Sequence, residues 1–137
     1  MADKHKPFDF FQDHAVNYLE MALDSRRQEV VAHPDGYGKM IRDCGDTLEM
    51  FVFLAGDIVQ SVSFSLKGCI HTNACANTVA HLAENKSVDQ CLLITRDDII
   101  SFLETLPENE HHCADLALNT FRKALSDFRN NKGNKTV

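Results

Sequence analysis

Cys44 with Asp46, Cys69, and the adjacent pair His112-Cys113 stand out because thiols, an imidazole and a carboxylate together are ligands of soft and borderline metals. Three thiolates completed by Asp46 or His112 match a tetrahedral zinc site or a partly exposed [2Fe-2S] centre. A Cys and His pair alone would suit a nucleophile and its base. An oxygen ligand holds iron less firmly than a fourth thiolate, so Asp46 in such a set points to a cluster that is handed on, not one kept for electron transfer. No short CxxC knuckle joins these residues, so the fold has to bring them to one rim.

The elements that must do this are readable from periodicity. Phe8, Phe11, Ala15, Tyr18 or Leu19, and Ala22 recur at helical spacing and predict an amphipathic helix over residues 9–24, closed by the charged turn Asp24-Ser25-Arg26-Arg27. His33-Pro34-Asp35-Gly36-Tyr37-Gly38 reads as a shaped loop leading to Asp43-Cys44-Gly45-Asp46. Leu48, Met50, Val52 and Leu54 alternate with Phe51 and Phe53 on the other face, which is a strand over 47–54. Gly56-Asp57 turns the chain into a second strand over 58–66, with Ile58, Gln60, Val62, Phe64 and Leu66 opposing Val59, Ser61, Ser63 and Ser65. Together they predict an antiparallel hairpin with one open, serine-rich face.

Lys67-Gly68-Cys69 ends that hairpin, and Ala74, Val79, Leu82 and Ala83 face inward from a helix over 72–84, so Cys69 falls at a strand-to-helix junction. Two short helices are expected over 88–93 and 97–104. The polar loop Pro107-Glu108-Asn109-Glu110 then delivers His111, His112 and Cys113 to the first turn of a long helix striped by Ala114, Ala117, Leu118, Phe121, Leu125 and Phe128. The polar tail from about Asn130 is expected to fray.

A helix N-terminus carries partial positive charge, so Cys69 and Cys113 are expected to have lowered thiol pKa values. Cys113, next to His112 and an exposed loop, is the first choice for accepting a sulfane sulfur. Gly45 leaves room for a bulky ligand beside Cys44. Other candidates read as structure. Cys91 sits in the apolar run Cys91-Leu92-Leu93-Ile94 and belongs in the core. Cys75 reads as core too, although it lies near enough to Cys69 to act as an extra thiol. His14 and His111 read as surface groups, His71 as solvated, Asp57 as a turn residue, and Asp97-Asp98 as a helix start.

At 137 residues the chain fits one domain, 1–137, whose core should not need a metal to fold, which argues against a purely structural zinc module. A composition 44% hydrophobic and 25% charged excludes a disordered or fibrous chain, and a net charge of -6 without a basic stripe argues against nucleic acid. No apolar run approaches the roughly 20 residues that cross a bilayer, so neither a membrane nor an anchor is expected. A cytoplasmic location follows, where the five cysteines stay thiols or ligands.

From about Phe11 to Asn130 the chain resembles the NifU/IscU-type iron-sulfur cluster assembly scaffolds. The resemblance is carried by His33-Pro34-Asp35-Gly36-Tyr37-Gly38, Cys44-Gly45-Asp46, Lys67-Gly68-Cys69 and His112-Cys113-Ala114-Asp115-Leu116-Ala117, in that order. It implies an α+β, SufE/NifU-like fold, with a small antiparallel β-sheet of about three strands packed against several helices. It implies a scaffold, not an enzyme, that accepts sulfur from a cysteine desulfurase together with iron, builds a transient [2Fe-2S] cluster and transfers it to apo iron-sulfur acceptor proteins. Cys44, Cys69 and Cys113 would then be the cysteine ligands, Asp46 the labilising carboxylate and His112 the alternate ligand, with zinc possible at the same site. A monomer or weak dimer is expected. Three features depart from the pattern. Ile70 and His71 follow the middle cysteine, Cys75 stands where a small serine-like residue is usual, and Leu106-Pro107-Glu108-Asn109-Glu110 replaces a proline-rich, lysine-bearing loop. The last argues against handling by a dedicated heat-shock chaperone. The alternative function is a zinc-dependent sulfurtransferase accessory that accepts persulfide from a cysteine desulfurase.

Overall fold

The alternating segments form two adjacent strands of the sheet in the computed structural model, which describes the backbone of residues 8–42 and 45–134 and the side chains of 8–42 and 45–131. Strand β2 (Thr47–Ala55) pairs antiparallel with β3 (Ile58–Lys67), and Leu48, Met50 and Val52 turn fully buried side chains to the core. The strict alternation expected of β3 is broken once. A register shift between Phe53 and Leu54 sets Phe53 opposite Ser61 but Leu54 opposite Val59, leaving Gln60 as the extra residue. Val59 therefore shares the core face with Val62 and Phe64, and the serine-rich face is confined to Ser61, Ser63 and Ser65.

The third strand corrects the sequence reading. Residues expected to be loop form β1 (Gly36–Ile41), antiparallel to β2, giving the order β1-β2-β3. Its glycines serve close approach. A Cβ on Gly36 would lie 2.3 Å from the carbonyl oxygen of Ala124, and one on Gly38 2.4 Å from that of Thr120. Both carbonyls belong to the last helix, α6 (His112–Asn134), which can lie against β1 only because these side chains are missing.

The predicted N-terminal helix is two, α1 (Phe10–Asp13) and α2 (Val16–Leu23), broken at His14-Ala15 and ended by the Asp24–Arg26 turn. Helix α3 (Ile70–Ala83) is buried over Thr72–Ala80 and packs against α2, α6 and β3. Its Asn73 and Asn77 amides donate to the carbonyls of Met21, Ala22 and Asp24, so the end of α2 is satisfied by α3 where water is excluded. Ser87 and Thr95 open α4 (Val88–Cys91) and α5 (Arg96–Leu103) with capping boxes, the latter closed by Asp98. A 3-10 turn, Glu108–Glu110, leads into α6, whose backbone stays helical past the expected fraying point to Asn134. Among the described residues no helix is long and apolar enough to cross a membrane.

Candidate metal centre

Three chain segments meet where β3 gives way to α3. Gly68 carries the chain off β3, and Cys69 is the extended N-cap residue of α3, its carbonyl accepting from the N–H groups of Thr72 and Asn73. Cys113 is the second residue of α6, and Ala117, Phe121 and Leu125 further along bury that helix. The Thr72 hydroxyl lies between the two sulfurs, 3.6 Å from Cys69 Sγ and donating to Cys113 Sγ at 3.4 Å. Cys69 is exposed while Cys113 is fully buried, so the pair spans the boundary from rim to core.

Glu110, half-buried on the 3-10 turn, completes the group. Its Oε1 lies 3.7 Å from Cys113 Sγ, which donates to it, and 3.7 Å from His112 Nε2. One ligand atom each from Cys69, Glu110 and Cys113 lies within 4.8 Å of the others. Two sulfurs at about 2.3 Å from one tetrahedral zinc stand about 3.8 Å apart, so closing this group on a single ion takes shifts of about 1 Å or less. The donor set fits a borderline divalent cation.

Asp46 reaches the same rim from the sheet. The pairing of Thr47 with Lys67 sets it opposite Gly68, and a Cβ on Gly68 would lie 3.3 Å from its carboxyl carbon. The carboxylate thus flanks the residue before Cys69, though it stands outside the 4.8 Å group, as does the exposed His112. Cys44 and Asp43 lie outside the described residues, as do Met1–Pro7 and 135–137.

The lowered thiol pKa expected at a helix start does not hold for Cys113. Burial pushes its thiol up to about 12, and the Thr72 hydrogen bond offsets only part of this. A rise from near 9 to about 12 is worth about 4 kcal/mol, more than the about 2 kcal/mol a helix terminus supplies at most. Cys113 therefore stands as a thiol, and any metal bound there would have to displace its proton. Cys75 is buried and pushed well up, first by burial and then by Cys113 and Cys69. Cys91 is core, as expected.

Three histidines differ from their sequence reading. His14 is buried, stacked on Tyr18 with ring centroids 3.8 Å apart, its Nδ1 2.7 Å from Thr105 Oγ1. His71 is half-buried, with Nδ1 2.7 Å from the Tyr18 hydroxyl. Together they anchor α2 beside the start of α3. His111 also turns inward, its Nε2 3.3 Å from the Leu106 carbonyl oxygen.

The NifU-like N terminal domain family matches residues 21–135. The iron-sulfur cluster assembly scaffold protein IscU 1 of Archaeoglobus fulgidus is 26% identical over 129 residues, 93% of this chain and 77% of its own. The scaffold protein IscU of Aquifex aeolicus is 26% identical over 118 residues, 84% of this chain and 75% of its own. Among solved structures, a NifU-like N-terminal protein of Brucella abortus superposes with a TM-score of 0.69 at 16% identity, covering 85% of this chain and 94% of that one. A putative SUF-system scaffold of Fervidobacterium islandicum gives 0.67, also at 16%, covering 81% and 95%. At such low identity these two likenesses establish the fold: a small antiparallel sheet packed against several helices.

Proposed function

The chain belongs to the NifU-like N terminal domain family of iron-sulfur scaffolds, which are carriers and not catalysts, and on that premise we propose that it builds a transient [2Fe-2S] cluster and passes it on. The observation that carries this reading is the pair Cys69 and Cys113, converged from two different helices on one hydroxyl, with a carboxylate on either side. Cys69 and Cys113 are two of the ligands, Cys44 the third, Asp46 the ligand that keeps the cluster exchangeable, and His112 the alternate. Iron and sulfur are cargo here. The sulfur donor is a cysteine desulfurase and the recipients are apo iron-sulfur proteins.

Sulfur arrives when a thiolate of this chain attacks the outer sulfur of the donor's cysteine persulfide. The S–S bond breaks, and its electron pair leaves with the donor cysteine. Among the described residues Cys69 is the exposed thiol that such a donor can reach. Cys113, the acceptor expected from the sequence, becomes reachable once the Glu108–Glu110 turn moves off its sulfur. The electrons that reduce sulfane sulfur to sulfide come from a separate reductant.

A second reading, a zinc-dependent sulfurtransferase accessory, draws on the size of the Cys69–Glu110–Cys113 group, which suits one ion. The test is anaerobic reconstitution of wild type, Cys69→Ser and Cys113→Ser, followed by visible absorption and labile sulfide. Cluster formation lost in both variants supports the scaffold. Zinc retained with protein persulfide and no cluster moves the assignment to sulfur transfer.

A further inference from the structure

Glu110 stands where an exposed acidic loop would ordinarily leave its charge in water, yet the 3-10 turn folds it back. Glu110 N–H donates to the Pro107 carbonyl at 2.8 Å, and His111 N–H to that of Glu108 at 3.2 Å. This backbone holds the carboxylate half-buried over Cys113. Among the described residues no lysine or arginine forms an ion pair with it, and the imidazole nearest to it is that of His112, Nε2 3.7 Å from Oε1. A carboxylate beside two cysteine sulfurs, with no lysine or arginine paired to it, is a donor set suited to a borderline divalent cation.

From this we propose that Glu110 is itself a metal ligand: with Cys69 and Cys113 it holds a single ferrous or zinc ion before sulfur arrives. The proposal rests on the metal-handling reading above and deepens it by adding a ligand. Two thiolates and one carboxylate carry three negative charges, which a divalent cation largely offsets. A carboxylate oxygen is the hardest donor of the three and the easiest for an incoming sulfide to replace. Glu110 would thus keep the first iron in place and yield its coordination position as the cluster forms.

The experiment is anaerobic titration of the reduced, metal-free protein with cobalt(II), followed by zinc competition, on wild type, Glu110→Ala and Glu110→Gln. Cobalt reports thiolate ligation through sulfur-to-metal charge-transfer bands and the remaining donors through its visible d–d bands. We expect both variants to lose about 10- to 100-fold in affinity, with altered d–d bands and retained charge-transfer bands. Unfolding midpoints are measured alongside, and Glu110→Gln, which keeps the side-chain volume, is expected to match wild type. Wild-type affinity with unchanged bands in both variants overturns the proposal. Wild-type cluster reconstitution run in parallel separates the two readings. Glu110-dependent cobalt binding without any cluster upholds this ligand and removes the scaffold function. A transferable cluster with cobalt binding indifferent to Glu110 removes the ligand and upholds the scaffold.

Discussion

Gly38→Ala tests whether the site depends on how closely α6 lies on the sheet. Gly38 has no need of positive φ, since the described glycines in that region are Gly45 and Gly56, so alanine fits the strand backbone. What it lacks is space. The new methyl would stand 2.4 Å from Thr120 O and 2.7 Å from Ala124 N, both backbone atoms of α6, where ordinary contact begins at 3.4 Å. The helix must therefore retreat by about 1 Å from β1, because no side-chain rotation relieves a clash with helix backbone. Overpacking of this kind costs about 1–3 kcal/mol, and the stiffer unfolded chain returns about 0.4–1 kcal/mol. A net loss of about 1–2 kcal/mol is expected in urea unfolding. Because α6 carries Cys113 in its first turn, the shift also misplaces that sulfur against Cys69, and cobalt affinity should fall about tenfold, equivalent to 1.4 kcal/mol. Stability within about 0.5 kcal/mol of wild type, with unchanged cobalt binding, would refute the link between the β1 glycines and the site.

Other perturbations have equally definite outcomes. Asp46→Ala should prolong the lifetime of a reconstituted cluster and slow its transfer while leaving the circular dichroism unchanged; unaltered release would remove Asp46 from the mechanism. Tyr18→Phe deletes the hydroxyl bonded to His71 and should cost about 1 kcal/mol of stability, read from urea midpoints. Burial raises the Cys91 thiol from near 9 to about 11. A folded pKa above the unfolded one means that this contribution is complete below pH 9 and is lost as the pH climbs to 11, to about 3 kcal/mol in all. Cys91→Ala should flatten that part of the alkaline stability profile, and an identical slope in both proteins would contradict the assignment. Mass spectrometry after desulfurase treatment of the metal-free protein should find persulfide on Cys69, the exposed thiol of the pair.

Much of this architecture is legible in the residues because local and tertiary signals agree. The hairpin follows from the alternation of Leu48, Met50 and Val52 against Val62 and Phe64, and Cys69 and Cys113 fall at helix starts because Gly68 and the Pro107–Glu110 segment punctuate the pattern. Strand β1 is hidden because Gly36 and Gly38 carry the composition of a turn while serving as contact surfaces for a helix more than 80 residues later. The bulge after Phe53 is equally silent, since Val59 suits either face of a strand. At the site, residue types expose the cysteines, but Glu110 resembles any solvated loop acid until the 3-10 turn aims it at Cys113. The protonated state of Cys113 is likewise a property of packing. Helix position alone favours the thiolate, and burial first, with Cys69 and Glu110 beside it, reverses the sign.

Anaerobic incubation with ferrous iron, cysteine and a cysteine desulfurase, then transfer to an apo-ferredoxin, addresses the scaffold function most directly. Stoichiometric iron and labile sulfide that move to the ferredoxin as a [2Fe-2S] cluster are expected; zinc held tightly, persulfide on a cysteine and no transferable cluster would contradict it.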